Sequence, residues 1–334
     1  MENLQEIKSM QGKKVLITGG LGFIGSNLAK RLVGEGAEVT LFDKVENDSD
    51  KVKNIADKLK IVKGDNLDKQ LIDDIIKEKD YIFHFAWQTD LKESMIHPGQ
   101  DITRDIIGLI IMLESCRKYN KNVKIIFASS VTVAGEIEKI PAGEDVAENP
   151  LSIYEANKLA AEKYLYVYFK NYGLKTCVLR LANVFGEGQR IDNPNRGVLN
   201  FMIGRALRGE PLTVYGNGEF IRDYTYVQNY IDAFILAALS DKTDGEFYVL
   251  GSGKGLTMNE VVHKIKEITR EITGKDVLIE QIPFPESTHK IDKRNFIADY
   301  SKFKQATGWQ PKIDFEWGLR KTIEFYYINS LKTA

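Results

Sequence analysis

Short apolar runs punctuate the first half of the chain at residues 15–18, 39–42, 59–63, 81–85, 123–128 and 176–181. Each is too short for a helix and rich in Val, Ile, Leu or Phe, which reads as a strand buried on both faces. The segments between them, 27–34 and 102–119 among them, are long enough for crossover helices. Strand, helix, strand repeated in this order predicts a parallel sheet covered on both sides. The pattern changes after residue 181. Loops appear at Phe185-Gly186-Glu187-Gly188, Asn193-Pro194-Asn195 and Tyr215-Gly216-Asn217-Gly218, and helical patterns follow at 198–208, 227–239, 258–272 and 315–328. Phe247-Tyr248-Val249-Leu250 predicts one more strand. The expected architecture is α/β: a doubly wound parallel sheet over 1–180, rejoined by roughly 224–250, and a smaller mixed α/β lobe over 181–334.

Composition narrows the function classes. The 334 residues are 43% hydrophobic and 28% charged, with 46 basic against 47 acidic side chains and a net charge of -1. That balance excludes charge-driven disorder. It gives no global attraction to nucleic acid or to an anionic membrane, so neither is an expected partner. A local anion site remains compatible with it. No apolar run approaches the ~18 residues of a membrane span. Residues 1–14 are polar and lack the apolar core of a signal peptide, so a cytoplasmic location is expected. Cys116 and Cys177 lie in apolar stretches outside any Cys-x-x-Cys pair. Buried free thiols are expected there, and no metal site.

The first strand runs into Thr18-Gly19-Gly20-Leu21-Gly22-Phe23-Ile24-Gly25 and then a helical pattern. Glycines at 19, 22 and 25 allow the sharp turn and close backbone approach that a pyrophosphate needs, and the helix N-terminus supplies free N–H groups. Strand, glycine turn and helix together are the context of a Rossmann-type dinucleotide site. Asp43 ends the second strand, where a carboxylate binds ribose hydroxyls and repels a 2′-phosphate, favouring NAD over NADP. Lys44 beside it would tolerate a phosphate. Asp65, Asn66 and Leu67 follow the third strand, where Asp65 can accept from an adenine amino group. Phe85, Ala86 and Trp87 follow the fourth, at the same sheet edge. With Phe23, Ile24 and Ser129 they complete the candidate cofactor set. His84 reads equally well as a hydrogen-bonded core histidine.

The fifth strand ends in Ala128-Ser129-Ser130-Val131-Thr132, and Tyr154-Glu155-Ala156-Asn157-Lys158 follows. Tyr and Lys at i and i+4 share a helix face. A phenol of ordinary pKa ~10 is a poor base at neutral pH, but a neighbouring ammonium stabilises its phenolate. Ser130 can hold the same substrate oxygen, with Thr132 as a second candidate. Removing a hydroxyl proton while hydride leaves the same carbon is what carbinol oxidation requires. Tyr154 and Lys158 also belong to the expected cofactor contacts.

In this order the motifs resemble the extended short-chain dehydrogenase/reductases, in the NAD-dependent epimerase/dehydratase family that works on nucleotide sugars, with UDP-galactose 4-epimerases the nearest in pattern. The likeness continues through Arg180-Leu181-Ala182-Asn183-Val184-Phe185-Gly186, Gly209-Glu210-Pro211-Leu212, Arg222-Asp223-Tyr224 and Gly308-Trp309-Gln310-Pro311. It implies a nucleoside-diphosphate sugar held by Asn183, Val198, Leu212, Tyr215, Arg222 and Arg294. Asn183 would lie near the diphosphate, Arg222 and Arg294 would bind it, and residues 212–215 would run beside the base. It also implies a homodimer formed through a four-helix interface by the helices around 106–116 and after Lys158, and a role in polysaccharide biosynthesis.

Departures from the family pattern bear on the reaction. Sugar 4,6-dehydratases carry an acidic residue just after the catalytic Ser/Thr, whereas Val131 and Thr132 stand here. The expected reaction is therefore 4-epimerisation by transient oxidation at C4. A 4-keto-sugar reductase or a sugar-nucleotide dehydrogenase is the alternative, and a 4,6-dehydratase a lesser one. A non-catalytic nucleotide-binding regulator would have no need of Ser130, Tyr154 and Lys158 together. Ala134 replaces the usual Tyr, Asp105 replaces the usual Asn, and Trp87 is bulky where a small residue is common. These three point to a substrate outside the glucose/galactose pair.

Overall fold

The structure, a computed structural model, describes residues 9–44, 49–194, 197–285 and 294–333. Residues 1–8 of the polar N-terminal segment and Asn195 of the 193–195 loop lie outside the described residues. Seven parallel strands form the central sheet: β1 (Lys14–Thr18), β2 (Glu38–Asp43), β3 (Leu59–Lys63), β4 (Tyr81–His84), β5 (Lys124–Ser130), β6 (Lys175–Leu181) and β7 (Glu246–Leu250). Their spatial order is β7-β6-β5-β4-β1-β2-β3. The order reverses beside β1, and such a reversal opens a crevice at the carboxyl ends of the strands. β7 reaches the far edge after the chain has left the sheet, pairing Glu246 with Cys177 and Leu250 with Leu181.

Helices α1 (Phe23–Gly34), α2 (Lys69–Ile75), α3 (Gly108–Tyr119), α4 (Ile153–Tyr172) and α6 (Val227–Leu239) cover the sheet, while α5 (Val198–Arg208), α7 (Met258–Thr273) and α8 (Phe315–Thr333) pack together in the second lobe. Strand side chains alternate between faces. Val15 and Ile17 of β1 thus join one core with Leu28 and Leu32 of α1 and Ile231 and Phe234 of α6. Leu16 joins the other with Leu109 and Leu113 of α3 and Ala161 and Leu165 of α4. Burial on both faces accounts for the unbroken apolar runs of the inner strands. β3 departs from that expectation. It is the outermost strand, and Lys60, Ile61 and Lys63 are exposed.

The second lobe is built on small sheets. Asn183–Phe185 pairs in parallel with Tyr224–Tyr226, Leu212–Tyr215 in parallel with Ile279–Ile282, and Ile221–Arg222 antiparallel with Leu256–Thr257. Short interrupted strands of this kind explain why the sequence pattern weakens after 181. Asp223 fastens these pieces together. It is fully buried and accepts from Ser252 N and Oγ, Gly253 N and Ala298 N at 2.6–3.1 Å. Cys116 and Cys177 are buried free thiols, and burial pushes each up to about 12.

Candidate active site

The glycine turn is held in place by the second strand. Gly19 N donates to Phe42 O at 2.8 Å, and Leu21 N donates to the Asp43 carboxylate at 3.0 Å. Gly19 has φ +66°, and a Cβ there would stand 2.7 Å from the Phe85–Ala86 backbone. A Cβ on Gly25 would stand 2.4 Å from Gly19 O. The loop therefore closes against β4 and against itself only as glycine. Gly22 is the N-cap of α1 and brings no side-chain hydrogen bond to it, and Gly22, Phe23 and Ile24 line the adjoining cleft. Unsatisfied N–H groups at a helix N-terminus, set beside a ribose-binding carboxylate, fit a dinucleotide.

The cleft holds about 2920 Å³. Cavities for one small ligand run to roughly 300–1,000 Å³, so it has room for a dinucleotide and a second ligand. Gly19, Gly22, Phe23, Ile24, Gly25, Asp43, Lys44, Asp65, Asn66, Phe85, Ala86, Trp87 and Ser129 line it. Leu67 is not among the lining residues. Its N–H caps the Asp65 carboxylate at 2.9 Å, and its side chain is 37% exposed.

Ser130, Thr132, Tyr154 and Lys158 line the same cleft. Ser130 ends β5 and accepts from Thr132 N at 3.2 Å and from Thr132 Oγ1 at 2.9 Å, so its own proton is free for another acceptor. Ser152 and Glu155 form a capping box that starts α4. Tyr154 thereby sits in the first turn, where the helix dipole favours a phenolate. Lys158 is 4% exposed. Its Nζ donates to Ala128 O at 2.7 Å and lies 4.0 Å from the Trp87 ring centroid and 4.5 Å from that of Phe127. Trp87 therefore forms part of the lysine's seat as well as the cleft wall.

The electrostatics differ from the sequence expectation. Burial pushes the Tyr154 phenol up from its ordinary value, and Asp105, Glu155 and Asp101 add to the rise. Burial pulls Lys158 down, while Asp105 and Glu162 oppose the fall. A lysine activates the tyrosine only while it keeps its proton, so these carboxylates matter as much as the lysine. His84 Nδ1 lies 2.7 Å from Thr18 Oγ1, and burial holds the imidazole down at about 3, hence neutral. Among the described residues its Nε2 is buried without a partner, as is Trp87 Nε1.

On the second lobe, Asn183, Val198, Tyr215, Arg222 and Arg294 line the cleft. Leu212 does not. It is fully buried in the core, because the alternation along Leu212–Tyr215 turns Thr213 and Tyr215 to the cleft instead. Arg222 Nη1 donates to Arg294 O, which joins the two arginines in one wall. Phe284 and Tyr326 went unrecognised in the sequence. Phe284 stacks on Tyr215 with centroids 5.9 Å apart, and Tyr326 OH accepts from Gly188 N at 3.0 Å. Both line the cleft, but neither sits in a recognisable motif. Among the described residues no group of three or more His, Cys, Asp or Glu is placed to hold a metal.

The chain matches the family model described as GDP-mannose 4,6 dehydratase over residues 16–322. It is 30% identical over 324 residues to a UDP-glucose 4-epimerase of Mycolicibacterium smegmatis, covering 94% of this chain and 98% of that one. Its fold matches a UDP-glucose 4-epimerase of Thermotoga maritima solved with UDP-glucose, with TM-score 0.85, 34% identity, and 95% and 99% of the two chains covered. It also matches a Thermus thermophilus UDP-glucose 4-epimerase in complex with NAD, with TM-score 0.82, 31% identity, and 94% and 98% covered. Other curated relatives at 31% identity carry decarboxylase and dehydratase names. With the glycine turn, the Ser-Tyr-Lys constellation and this agreement over nearly the whole length, the chain belongs to the NAD-dependent nucleotide-sugar epimerase/dehydratase family.

Proposed function

We propose that this enzyme is a nucleotide-sugar epimerase that inverts C4 through transient oxidation, with NAD as its cofactor. The observation that carries this reading is the residue pair after Ser130. Val131 is buried, and the Thr132 hydroxyl is spent on Ser130, so the position offers no carboxyl group to eliminate water. NAD supplies hydride acceptance and return at the sugar carbon. Tyr154 takes the hydroxyl proton and gives it back. Lys158, while charged, makes the phenolate accessible. Ser130 donates to the sugar oxygen and keeps it aligned with Tyr154. The first lobe, residues 1–180 with the returning segment, binds the dinucleotide, and the second binds the nucleoside diphosphate.

Arg222 and Arg294 supply guanidinium groups matched to phosphate oxygens, and Asn183 lies on the same wall. Tyr215 stacked with Phe284 offers an aromatic face to a base. The same reading includes a homodimer built from α4 and the helix around 106–116. The test is a panel of nucleotide sugars followed by proton NMR. Appearance of one C4 epimer without loss of water or carbon dioxide supports the assignment. Elimination, decarboxylation or stoichiometric cofactor reduction defeats it.

A further inference from the structure

The chain crosses from the first lobe to the second after β6, and the segment Gly186–Gln189 beyond the crossing is tied to α1, α5, α8 and the strand Tyr224–Tyr226. Gly186 exchanges two hydrogen bonds with the Asn200 side chain of α5, its N–H to Oδ1 at 3.4 Å and Nδ2 to its carbonyl at 2.9 Å. The Glu187 carboxylate accepts from Tyr226 OH with oxygens at 2.7 and 2.8 Å. Glu187 O accepts from Asn27 Nδ2 of α1 at 2.9 Å. Tyr326 OH of α8 accepts from Gly188 N and donates to Gln189 O. Gly188, at φ +88°, lies on the first turns of α1, since a Cβ there would stand 3.7 Å from Asn27 Nδ2 and 3.9 Å from Ser26 Oγ. Gly188, Gln189 and Tyr326 line the cleft together with Phe23 and Ile24.

Asn27 also acts within α1. It is 5% exposed, and its Nδ2 donates to Phe23 O at 2.9 Å as well as to Glu187 O. Ser26 Oγ donates to the same Phe23 oxygen at 3.2 Å. Asn27 Oδ1 accepts from Gln228 Nε2 of α6 at 3.2 Å, which fixes the orientation of the amide. A peptide unit is planar and trans, so Phe23 O and Ile24 N–H point to opposite sides of one plane. Whatever holds the oxygen therefore aims the N–H. Ile24 belongs to the first turn of α1, where N–H groups have no acceptor within the helix and are open to an anion.

We propose that Asn27 is a positioning residue for the dinucleotide diphosphate, and that the Gly186–Gln189 segment, strapped to α1 through Asn27 and to α8 through Tyr326, retards release of the cofactor. This rests on the NAD-binding reading of the glycine turn. An enzyme that takes a hydride from C4 and returns it to the same sugar must not release its cofactor in between. Backbone of the second lobe, laid over the first turns of α1 and held there by one amide and one phenol, meets that need.

The test follows release of radiolabelled NAD from the holoenzyme, chased with unlabelled NAD. Asn27→Ala loses two donated hydrogen bonds and is expected to release NAD about tenfold faster, and Tyr326→Phe, which lacks only a hydroxyl, about threefold faster. The double variant should release NAD no faster than Asn27→Ala alone, because without Asn27 the segment has lost its hold on α1. Competition separates positioning from a general structural role. Against labelled NAD, ADP-ribose, which carries the diphosphate, should compete about tenfold less well in Asn27→Ala. Adenosine, which lacks the diphosphate, should compete as it does in wild type. Should Asn27→Ala not fold, Tyr326→Phe leaves α1 intact and its release rate decides. Unchanged release in either variant, multiplied effects in the double variant, or an equal loss for adenosine each overturns the proposal. All of these are measured without substrate, so absence of turnover on every sugar defeats the epimerase reading alone.

Discussion

In the proposed reaction Tyr154 carries a single proton, and its setting is made by a few neighbours. The capping box starts its helix, Ser94 Oγ accepts from its N–H at 3.2 Å, and Lys158 follows one turn later. Tyr154→Phe removes only the hydroxyl. It is expected to retain the fold and bound NAD and to lose roughly 10²–10⁴-fold in kcat, the range of a general acid–base group. Retention of kcat with the cofactor still bound would remove Tyr154 from the mechanism. That Ser130, Tyr154 and Lys158 meet in one cleft was legible in the sequence, because residue type and chain order single them out. Leu212 was misplaced because the family pattern names a segment, while burial depends on which side of a strand a residue occupies. Phe284 was invisible, since aromatic stacking needs no motif.

At the level of elements, the glycine turn and the β5–α4 junction define the site. Gly25→Ala puts a Cβ against Gly19 O, and the loop must shift out of its seat on β4. The variant is expected to emerge from purification without NAD, as judged by absorbance of the denatured supernatant, while wild type retains it. At the junction, Arg180 of β6 binds Glu162 of α4 and Glu148, and Ser129 of β5 joins the same carboxylate. Arg180 is 2% exposed. Arg180→Ala leaves Glu162 as a buried uncompensated charge and should cost about 3–5 kcal/mol in denaturant unfolding. A loss below ~1 kcal/mol, the median of an exposed ion pair, would mean that the network is solvated. The inner strands were legible because burial on both faces leaves a continuous apolar run. The π turn at Thr103–Ile107 was not, because no residue type in it marks the extra residue.

Over the whole molecule, the cleft is shared by the sheet's carboxyl edge and the second lobe, and the proposed binding depends on local positive charge rather than net charge. Arg222 and Arg294 line one side and the positive dipole end of α1 the other. Ile107, just before α3, and Tyr164, Val167 and Tyr172 of α4 are exposed. Tyr168 of α4, by contrast, is buried within the chain and donates to Glu114 at 2.6 Å. Burial of the remaining patch by a second copy is the simplest use of it. Sedimentation should give twice the chain mass, and Tyr164→Glu with Val167→Glu should give a monomer; a wild-type monomer at micromolar concentration would contradict the dimer.

The central claim is that C4 is oxidised and reduced within one active site. The direct measurement is to incubate the purified holoenzyme with a nucleotide-sugar panel, reading products by proton NMR and reduced nicotinamide by near-ultraviolet absorbance. The expected result is a single new C4 epimer over many turnovers, with no water or carbon dioxide lost and no net reduced cofactor. A product lacking the C6 oxygen or a carboxyl carbon, or one mole of reduced cofactor per mole of product, would contradict the account.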